Sequence, residues 1–436
     1  MRSDDTIFAM ASGYGRAAVC LIRISGERSR IVLELMAGGL PEPRRAVVRV
    51  LTDPATGEPL DQALVLWMPG PRSFTGEDQA ELHIHGGLAT RAAVLRALGS
   101  LDHCRAAEAG EFTRRAFLNG RMDLSQVEGL ADIIDAETEA QRRQAMRQLG
   151  GRLGNAAEGW RESVLQVLAL LEASLDFSDE GDVPHDLEAE ILVMIDRIAR
   201  EIGAAAANRS GERLREGLTV VLAGPPNAGK STLLNALARR DVAIVSPIAG
   251  TTRDAIEVHC DLGGLPVVIV DTAGLRESGD LIEQEGVSRA RARAQDADLV
   301  LWLVPPEGGE GAPPAARRLL IVGTKADLGQ ARPGCDLTIA AATGAGLPDL
   351  IRRLETEAAS LMGQGDAIVT RERHRKALER AHAALARGRA MLAGQGPLEL
   401  AAEEVRLAAR AIGEITGRVD VEDVLDRLFS SFCIGK

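Results

Sequence analysis

Three things are scarce in this chain of 436 residues, and each scarcity removes a class of protein. Cysteine occurs five times, as Cys20, Cys104, Cys260, Cys335 and Cys433, always singly and never as C-x-x-C. That spacing argues against a disulfide framework and against a structural zinc site. No apolar run approaches the roughly 20 residues that cross a bilayer, and the first residues carry no signal-peptide pattern; a cytoplasmic protein with no membrane partner is expected. Excess positive charge is lacking too. The formal net charge of −12 gives no support to a general nucleic-acid-binding surface, although a local basic patch stays open. What is left is 45% hydrophobic and 26% charged residues, the composition of a soluble globular protein, at a length that predicts two or three domains.

The densest chemical signal is Gly224-Pro225-Pro226-Asn227-Ala228-Gly229-Lys230-Ser231, which fits the phosphate-binding loop G-x-x-x-x-G-K-[ST]. The β-branched run at 218–223 predicts a buried strand before it, and 232–239 reads as a helix after it. Strand, turn and helix start together aim several backbone N–H groups at one point, where a phosphate chain can accept from them. Lys230 would reach the β- and γ-phosphates, and the Ser231 hydroxyl would ligate Mg²⁺. Downstream, a strand at 267–270 leads into Asp271-Thr272-Ala273-Gly274. There the aspartate can hold Mg²⁺ through water and Gly274 can offer its N–H to the γ-phosphate. The polar loop Gly250-Thr251-Thr252-Arg253-Asp254 lies between the two, with Thr252 the expected second hydroxyl on Mg²⁺. Strands at 299–304 and 319–322 follow, the second ending at Gly323-Thr324-Lys325-Ala326-Asp327. Asp327 is placed to accept from guanine N1–H and N2–H₂ while the Lys325 stem covers the base; adenine cannot make that pair. A GTPase is therefore expected. Its water-orienting group is not the usual Gln, because Leu275-Arg276-Glu277 follows Gly274; the acidic segment 277–283 holds candidates, and Arg253 and Arg276 are candidate internal cations.

Around this segment the chain changes character. Residues 1 to about 118 read as a mixed α/β unit, with strands at 19–24, 46–51, 63–68 and 82–85 and a helix at 90–98. His83 and His85 alternate onto one strand face; a metal pair is possible, ordinary structural or substrate contacts are favoured. The turn Arg72-Ser73-Phe74-Thr75-Gly76-Glu77-Asp78 sets two carboxylates beside a flexible loop, with a solvated loop as the plain alternative. From 123 to about 215, and again over the last 70 or so residues, apolar positions recur at three and four, which predicts amphipathic helices broken near Gly150-Gly151 and 178–184. One bundle built from both runs, with the nucleotide domain inserted between them, is the economical reading; two separate helical lobes are the alternative. Arg142, Arg143, Arg147 and Arg152 form either a basic stripe for RNA or a salt-bridged, solvated face.

With these residues in view, the chain resembles the MnmE (TrmE) family of tRNA wobble-uridine modification GTPases over nearly its full length. The resemblance rests on Gly15-Arg16, Arg23-Ile24-Ser25-Gly26, the 73–78 segment and Gly110-Glu111-Phe112-Thr113-Arg114-Arg115-Ala116-Phe117-Leu118-Asn119-Gly120. The loops of the nucleotide segment and the terminal Phe432-Cys433-Ile434-Gly435-Lys436 complete it. It implies a multidomain α/β plus all-α protein: a folate-binding and dimerising domain over 1–119, a helical domain over 120–215 and 365–436, and an inserted Ras-like P-loop G domain over 216–364. It further implies a K⁺-stimulated GTPase that works with the flavoprotein MnmG, which brings FAD and uses NADH. The pair would place an aminomethyl or carboxymethylaminomethyl group on C5 of tRNA uridine 34, with the carbon drawn from 5,10-methylene-tetrahydrofolate (5-formyl-tetrahydrofolate being an analogue).

Position by position, the resemblance implies GTP contacts from Asn227, Ala228, Gly229, Lys230, Ser231 and Thr232, and from Ser246, Pro247, Ile248, Ala249, Gly250, Thr251 and Thr252. Asp271, Thr272, Ala273 and Gly274 follow, then Thr324, Lys325, Ala326 and Asp327, and finally Ala340, Ala341 and Ala342. Ser231 and Thr252 would bind Mg²⁺; Asn227, Ser246, Ile248 and Thr251 would bind K⁺, where a fixed cation can replace an arginine finger. Glu283 would orient the attacking water, with Lys230 and Thr252 the other catalytic positions. Arg23, Glu81, Arg121 and Lys436 match folate-site positions, cations for a glutamate tail and a carboxylate for a pterin edge. Cys433 is either a reactive thiol or a packing residue, and packing is favoured. Homodimers through the N-terminal domain, with G domains meeting on activation, are implied as well.

The chain departs from the family pattern at several points. Thr324 stands for the usual Asn, which predicts weaker guanine affinity with specificity kept by Asp327. Ala340-Ala341 replaces Ser-Ala, Ser246 replaces Thr, Arg121 replaces Lys and Pro305 replaces Asp. A GTP-gated ribosome or RNA assembly factor without modification chemistry is the alternative function; it has no use for the folate-site residues or the Cys-Ile-Gly-Lys terminus.

Overall fold

The computed structural model describes residues 5–13, 15–176, 185–240, 242–244, 257–271, 297–308, 312–329, 333–363, 367–394, 396–419, 425, 428–429, 432 and 435. By internal contacts the chain forms two units, 1–131 with 413–436, and 132–412.

The first unit is built on a six-stranded sheet in the order β3-β4-β5-β2-β1-β6. Its strands are β1 (Thr6–Met10), β2 (Val19–Ser25), β3 (Val47–Thr52), β4 (Pro59–Met68), β5 (Gln79–His85) and β6 (Cys104–Ala106). All neighbours pair antiparallel except β1 with β6. Alternation sorts the side chains. Cys20, Ile22, Ile24, Leu82 and Ile84 join a core with Val32, Leu33 and Met36 of α1 (Ser29–Met36) and Val94, Ala97 and Leu98 of α2 (Leu88–Gly99). Arg23, Ser25, Gln79, Glu81 and His83 fall on the opposite face. There Ile7 and Ala9 of β1 pack with Phe112 of α3 (Glu111–Leu118). Strand β1 is thus covered on both sides, which is why TIFAM carries no alternation to mark it as a strand in the sequence. The terminal segment returns to this unit. Phe429 and Phe432 pack with Leu124 and Val127 of α4 (Leu124–Asp135), and a Cβ on Gly435 would lie 2.2 Å from the Met10 carbonyl.

The second unit holds a sheet in the order β12-β11-β10-β7-β9-β8. Its strands are β7 (Leu218–Ala223), β8 (Glu257–Leu262), β9 (Leu265–Asp271), β10 (Leu299–Val304), β11 (Leu319–Gly323) and β12 (Leu337–Thr338). All pair parallel except β8 with β9. The central strands read as near-continuous apolar runs because both faces are buried. One face packs on α8 (Ser210–Glu216), α9 (Lys230–Ala238) and α10 (Leu347–Met362) through Leu214, Leu233, Leu234, Leu237, Leu350 and Leu354.

The rest of this unit is helical: α5 (Glu139–Leu149), α6 (Arg152–Asp176), α7 (His185–Ala207), α11 (Glu372–Ala393) and α12 (Leu398–Thr416). Helix α5 ends at Gly150-Gly151, where a break was expected; the second expected break, 178–184, lies outside the described residues. Buried Ile191, Ile195, Ile198 and Ile202 give α7 its apolar stripe. Helix α11 lies along α7, with the His382 ring 3.1 Å from where a Gly203 Cβ would be and Arg389 Nε 2.5 Å from Asp196. Helices from either side of the nucleotide sheet in sequence therefore pack together, as an inserted domain requires. No helix among the described residues is long and apolar enough to cross a membrane.

Helix α8 enters β7 past a tight contact. A Cβ on Gly211 would lie 2.3 Å from the Val369 carbonyl, a backbone atom that cannot rotate away. Gly211→Ala should therefore cost about 1–3 kcal/mol and lower the midpoint of the thermal transition of this unit, read by circular dichroism with nucleotide absent; an unchanged midpoint would show that the backbone gives way freely.

Candidate functional site

The parallel strands β9, β7, β10 and β11 all end at one edge of their sheet, which gathers three sequence motifs. Strand order reverses direction at β7, and the crevice beside it is where open α/β sheets take ligands. Gly224 leaves β7 with φ +150°, and a Cβ there would meet the Leu303 carbonyl at 2.6 Å, so the loop passes β10 only as glycine. Asn227 is exposed in the left-handed region at φ +61°, which asparagine tolerates. Gly229 then caps α9 and turns the first N–H groups of the helix to the loop. The Lys230 ammonium donates to the Gly224 and Pro225 carbonyls of its own loop, at 2.9 and 3.0 Å.

Ser231 Oγ donates to Asp271 Oδ2 at 2.6 Å, and Asp271 is 0% exposed. Hydroxyl and carboxylate oxygens are the hard donors that suit Mg²⁺, and here they are already adjacent. At the end of β11, the buried Thr324 hydroxyl donates 2.8 Å to the Ala228 carbonyl and ties this turn to the Gly-rich loop. Lys325 follows at φ +53°, its ammonium 2.5 Å from Glu307, and Asp327 is exposed beyond it. The Ala340 N–H already donates to Ala345 O, so a base contact from this turn falls to Ala341 or Ala342. Ser246, Pro247, Ile248, Ala249, Gly250, Thr251, Thr252, Thr272, Ala273, Gly274 and Glu283 lie outside the described residues, as do Arg253, Arg276 and the rest of 277–283.

In the first unit, register places Arg23 opposite Glu81, and Arg23 Nε donates to Glu81 Oε1 at 3.2 Å. The guanidinium lies 5.2 Å from the Phe74 ring centre and 5.9 Å from that of Phe112. Arg121 reaches the same loop, its Cγ 3.2 Å from where a Cβ on Gly76 would be. Lys436 and Cys433 lie outside the described residues; Gly435 is seated against Met10 and Ala11, beside the strand that pairs with Arg23.

The 72–78 turn differs from a flexible, solvated loop. Ser73 and Thr75 are buried, Glu77 accepts from Ser25 Oγ at 2.8 Å and Arg115 Nη1 at 2.9 Å, and Asp78 accepts from the Gly70 N–H at 2.9 Å. Both carboxylates serve to fix the loop that carries Phe74. Nearby, burial pushes the Glu111 carboxyl up, but hydrogen bonds from Arg105 and the Glu108 N–H, with the charges of Arg105 and Arg115, bring it below its ordinary value. The two histidines serve different carboxylates. His85 Nδ1 lies 2.7 Å from Asp61, while His83 Nε2 is 3.7 Å from Glu81. No group of three or more metal-ligating side chains occurs among the described residues. Arg142 and Arg143 both close on Glu139 at 2.7 Å and hold its carboxyl down to about 2, which fits a salt-bridged face at those two positions.

Comparison with known proteins agrees with this layout. A family profile described as GTP-binding protein TrmE N-terminus matches residues 6–121, and one described as MnmE helical domain matches 124–433. The chain belongs to the MnmE family. It is 63% identical over 440 residues to a tRNA modification GTPase MnmE of Methylobacterium sp. (strain 4-46), covering 99% of this chain and 100% of that protein. Proteins of the same name from Methylorubrum populi and Beijerinckia indica are 60% and 53% identical, each covering 99% of this chain and 98% and 96% of their own lengths. Within the family pattern, Thr324 is the departure whose structural role is visible. Thr324→Val would take this donor from the buried Ala228 carbonyl at about 1–3 kcal/mol; with the Thr324 turn released from the Gly-rich loop and re-ordered only on binding, GTP affinity by titration calorimetry should fall, by about five- to a hundredfold where that whole cost is met in the complex. Thr324→Ser should retain most of it. Equal affinity for Thr324→Val and the parent chain would remove this hydroxyl from the site.

Proposed function

We propose that this chain is a K⁺-stimulated GTPase that, with an MnmG flavoprotein carrying FAD and using NADH, modifies C5 of tRNA uridine 34 with a carbon from methylene-tetrahydrofolate. That it is a GTP hydrolase of tRNA modification follows from membership of the family; partner, cations and carbon donor are the proposal. The observation that carries the nucleotide half is the adjacency of Ser231 and buried Asp271 below a Gly-rich loop at the edge of a parallel sheet.

Ser231 and, by motif, Thr252 would hold Mg²⁺; Asn227, with Ser246, Ile248 and Thr251, would hold K⁺. The exposed carboxamide of Asn227 fits such an ion. When bound, the two cations supply positive charge where the β- and γ-phosphate oxygens gain electron density. The chain's own groups do the rest. Lys230 must leave the carbonyls of its loop to meet a phosphate, backbone N–H groups at the start of α9 receive the phosphate oxygens, and Glu283 is assigned the attacking water.

For the second site, the paired Arg23 and Glu81 beside Phe74 and Phe112 fit a flat nitrogen heterocycle with a carboxylate tail: Glu81 accepts ring N–H groups, and Arg23, Arg121 and Lys436 meet anionic groups. A GTP-gated assembly factor has no use for that arrangement. Self-association through the N-terminal domain, G domains that meet on activation, and a cytoplasmic location belong to the same proposal.

Wobble-nucleoside analysis tests it. Unmodified tRNA incubated with this chain, MnmG, methylene-tetrahydrofolate, ammonium or glycine, NADH and GTP should gain the aminomethyl or carboxymethylaminomethyl group at uridine 34, with faster GTP turnover in K⁺ than in Na⁺. Unchanged uridine 34 with all components present would overturn the modification reading, and equal turnover in the two salts would overturn the K⁺ assignment.

A further inference from the structure

Glu137, just ahead of the Thr138 cap of α5, and Ala140, Gln141 and Gln144 in its first turns lie along one short segment. Each bonds the nucleotide sheet or the helix that feeds it. Glu137 Oε2 lies 2.9 Å from His259 Nδ1 on β8, and the Ala140 N–H donates to Gly264 O in the β8–β9 turn at 3.2 Å. Gln141 Nε2 donates to Arg215 O at 3.1 Å, and Gln144 Nε2 to Gly211 O at 2.9 Å. The first pair grips the hairpin whose far end is Asp271. The second pair grips α8, which leads through Gly217 into β7 and the phosphate loop. One turn further on, Gln148 Oε1 accepts from Thr370 Oγ1 at 2.5 Å, just ahead of α11 in the bundle.

Helix α5 and the residue ahead of its cap thus touch the β8–β9 hairpin and the helix that leads into β7, and the bundle as well. Gln141 has a double role. Its Oε1 accepts from the Thr138 and Glu137 N–H groups at the start of α5, so the residue that caps the helix also holds Arg215. The contact is mostly polar, with Ala140 the residue packed against the core of the sheet. A cavity of about 200 Å³ is lined by Asp135, Glu137, Gln141, His259 and Pro266, and a smaller one of about 70 Å³ lies beside Gln144. The Gln144 carbonyl oxygen is buried there without a hydrogen-bond partner. A dry, interdigitated interface has a single arrangement, whereas hydrogen bonds beside open space can exchange partners without opening a void.

We infer that the start of α5, with Glu137 ahead of its cap, is the joint through which the nucleotide state of the sheet reaches the helical bundle. A shift of Asp271 travels down β9 to the hairpin and remakes the Glu137–His259 and Ala140–Gly264 contacts, while Gln141 and Gln144 keep α5 on the entrance to β7. The inference rests on the GTPase reading but not on the modification chemistry. None of the four α5-side positions belongs to the phosphate or base site.

Hydrogen exchange on the full chain, with GDP and with a non-hydrolysable GTP analogue, tests it. Residues 139–149 and 372–393 should exchange differently in the two states. Glu137→Ala should abolish that difference while GTP hydrolysis stays within about twofold, and the exchanged pair Glu137→His with His259→Glu should restore it. A difference that survives Glu137→Ala would overturn the joint, as would hydrolysis falling in parallel or helices that exchange alike in both states with nucleotide bound. Failure of uridine 34 modification alongside a persisting exchange difference would count against the tRNA chemistry alone.

Discussion

A 2.6 Å hydrogen bond from the Ser231 hydroxyl to the buried Asp271 carboxylate joins the loop after β7 to the end of β9, and the rest of the nucleotide site is arranged about it. A carboxylate with no exposure is costly unless donors or cations meet it. Parallel pairing of β7 with β9, in the register Leu222 opposite Asp271, is what brings donor and acceptor within reach. The same pairing rule sets β10 and β11 alongside, so the turn that carries Thr324 and Asp327 arrives at the same edge. Thr324 then closes the circuit by bonding Ala228 in the phosphate loop.

Both candidate sites hold their charged groups on internal partners. Lys230 rests on two carbonyls, and Arg23 rests on Glu81. Such pairings keep the side chains in place at modest cost, because ligand contacts replace hydrogen bonds rather than create them from water. They also make the ligand compete. In the proposed sites a phosphate would have to draw Lys230 away, and a heterocycle would have to share Glu81 with Arg23. Selectivity then comes from ligands that can satisfy both members of a pair at once.

The parts legible in sequence were those in which one stretch carries both pattern and chemistry. The apolar runs of β7, β9, β10 and β11 end in their motifs, and the stripe on α7 shows its period directly. The first unit was harder to read. Strand β1 is covered on both sides, β6 has three residues, and α1 has eight, too few to establish a period. Contacts between distant positions left no local mark. Nothing near Glu77 indicates Ser25 and Arg115 as its partners, and nothing near Thr324 indicates Ala228. The α5 face lies in between. Gln141 and Gln144 sit one turn apart, but polar residues at that spacing look like a solvated face until the helix that they meet is known.

Base selection by Asp327 is the central claim that a single substitution can reverse. In the proposed site its carboxylate would accept from guanine N1–H and N2–H₂, whereas a carboxamide would offer a donor that suits the carbonyl of xanthine at that position. Affinities of the parent chain and Asp327→Asn for GTP and for xanthosine triphosphate, measured side by side, decide it. The account predicts that Asp327→Asn loses GTP affinity by about a hundredfold or more and prefers xanthosine triphosphate; undiminished GTP binding by Asp327→Asn would contradict it.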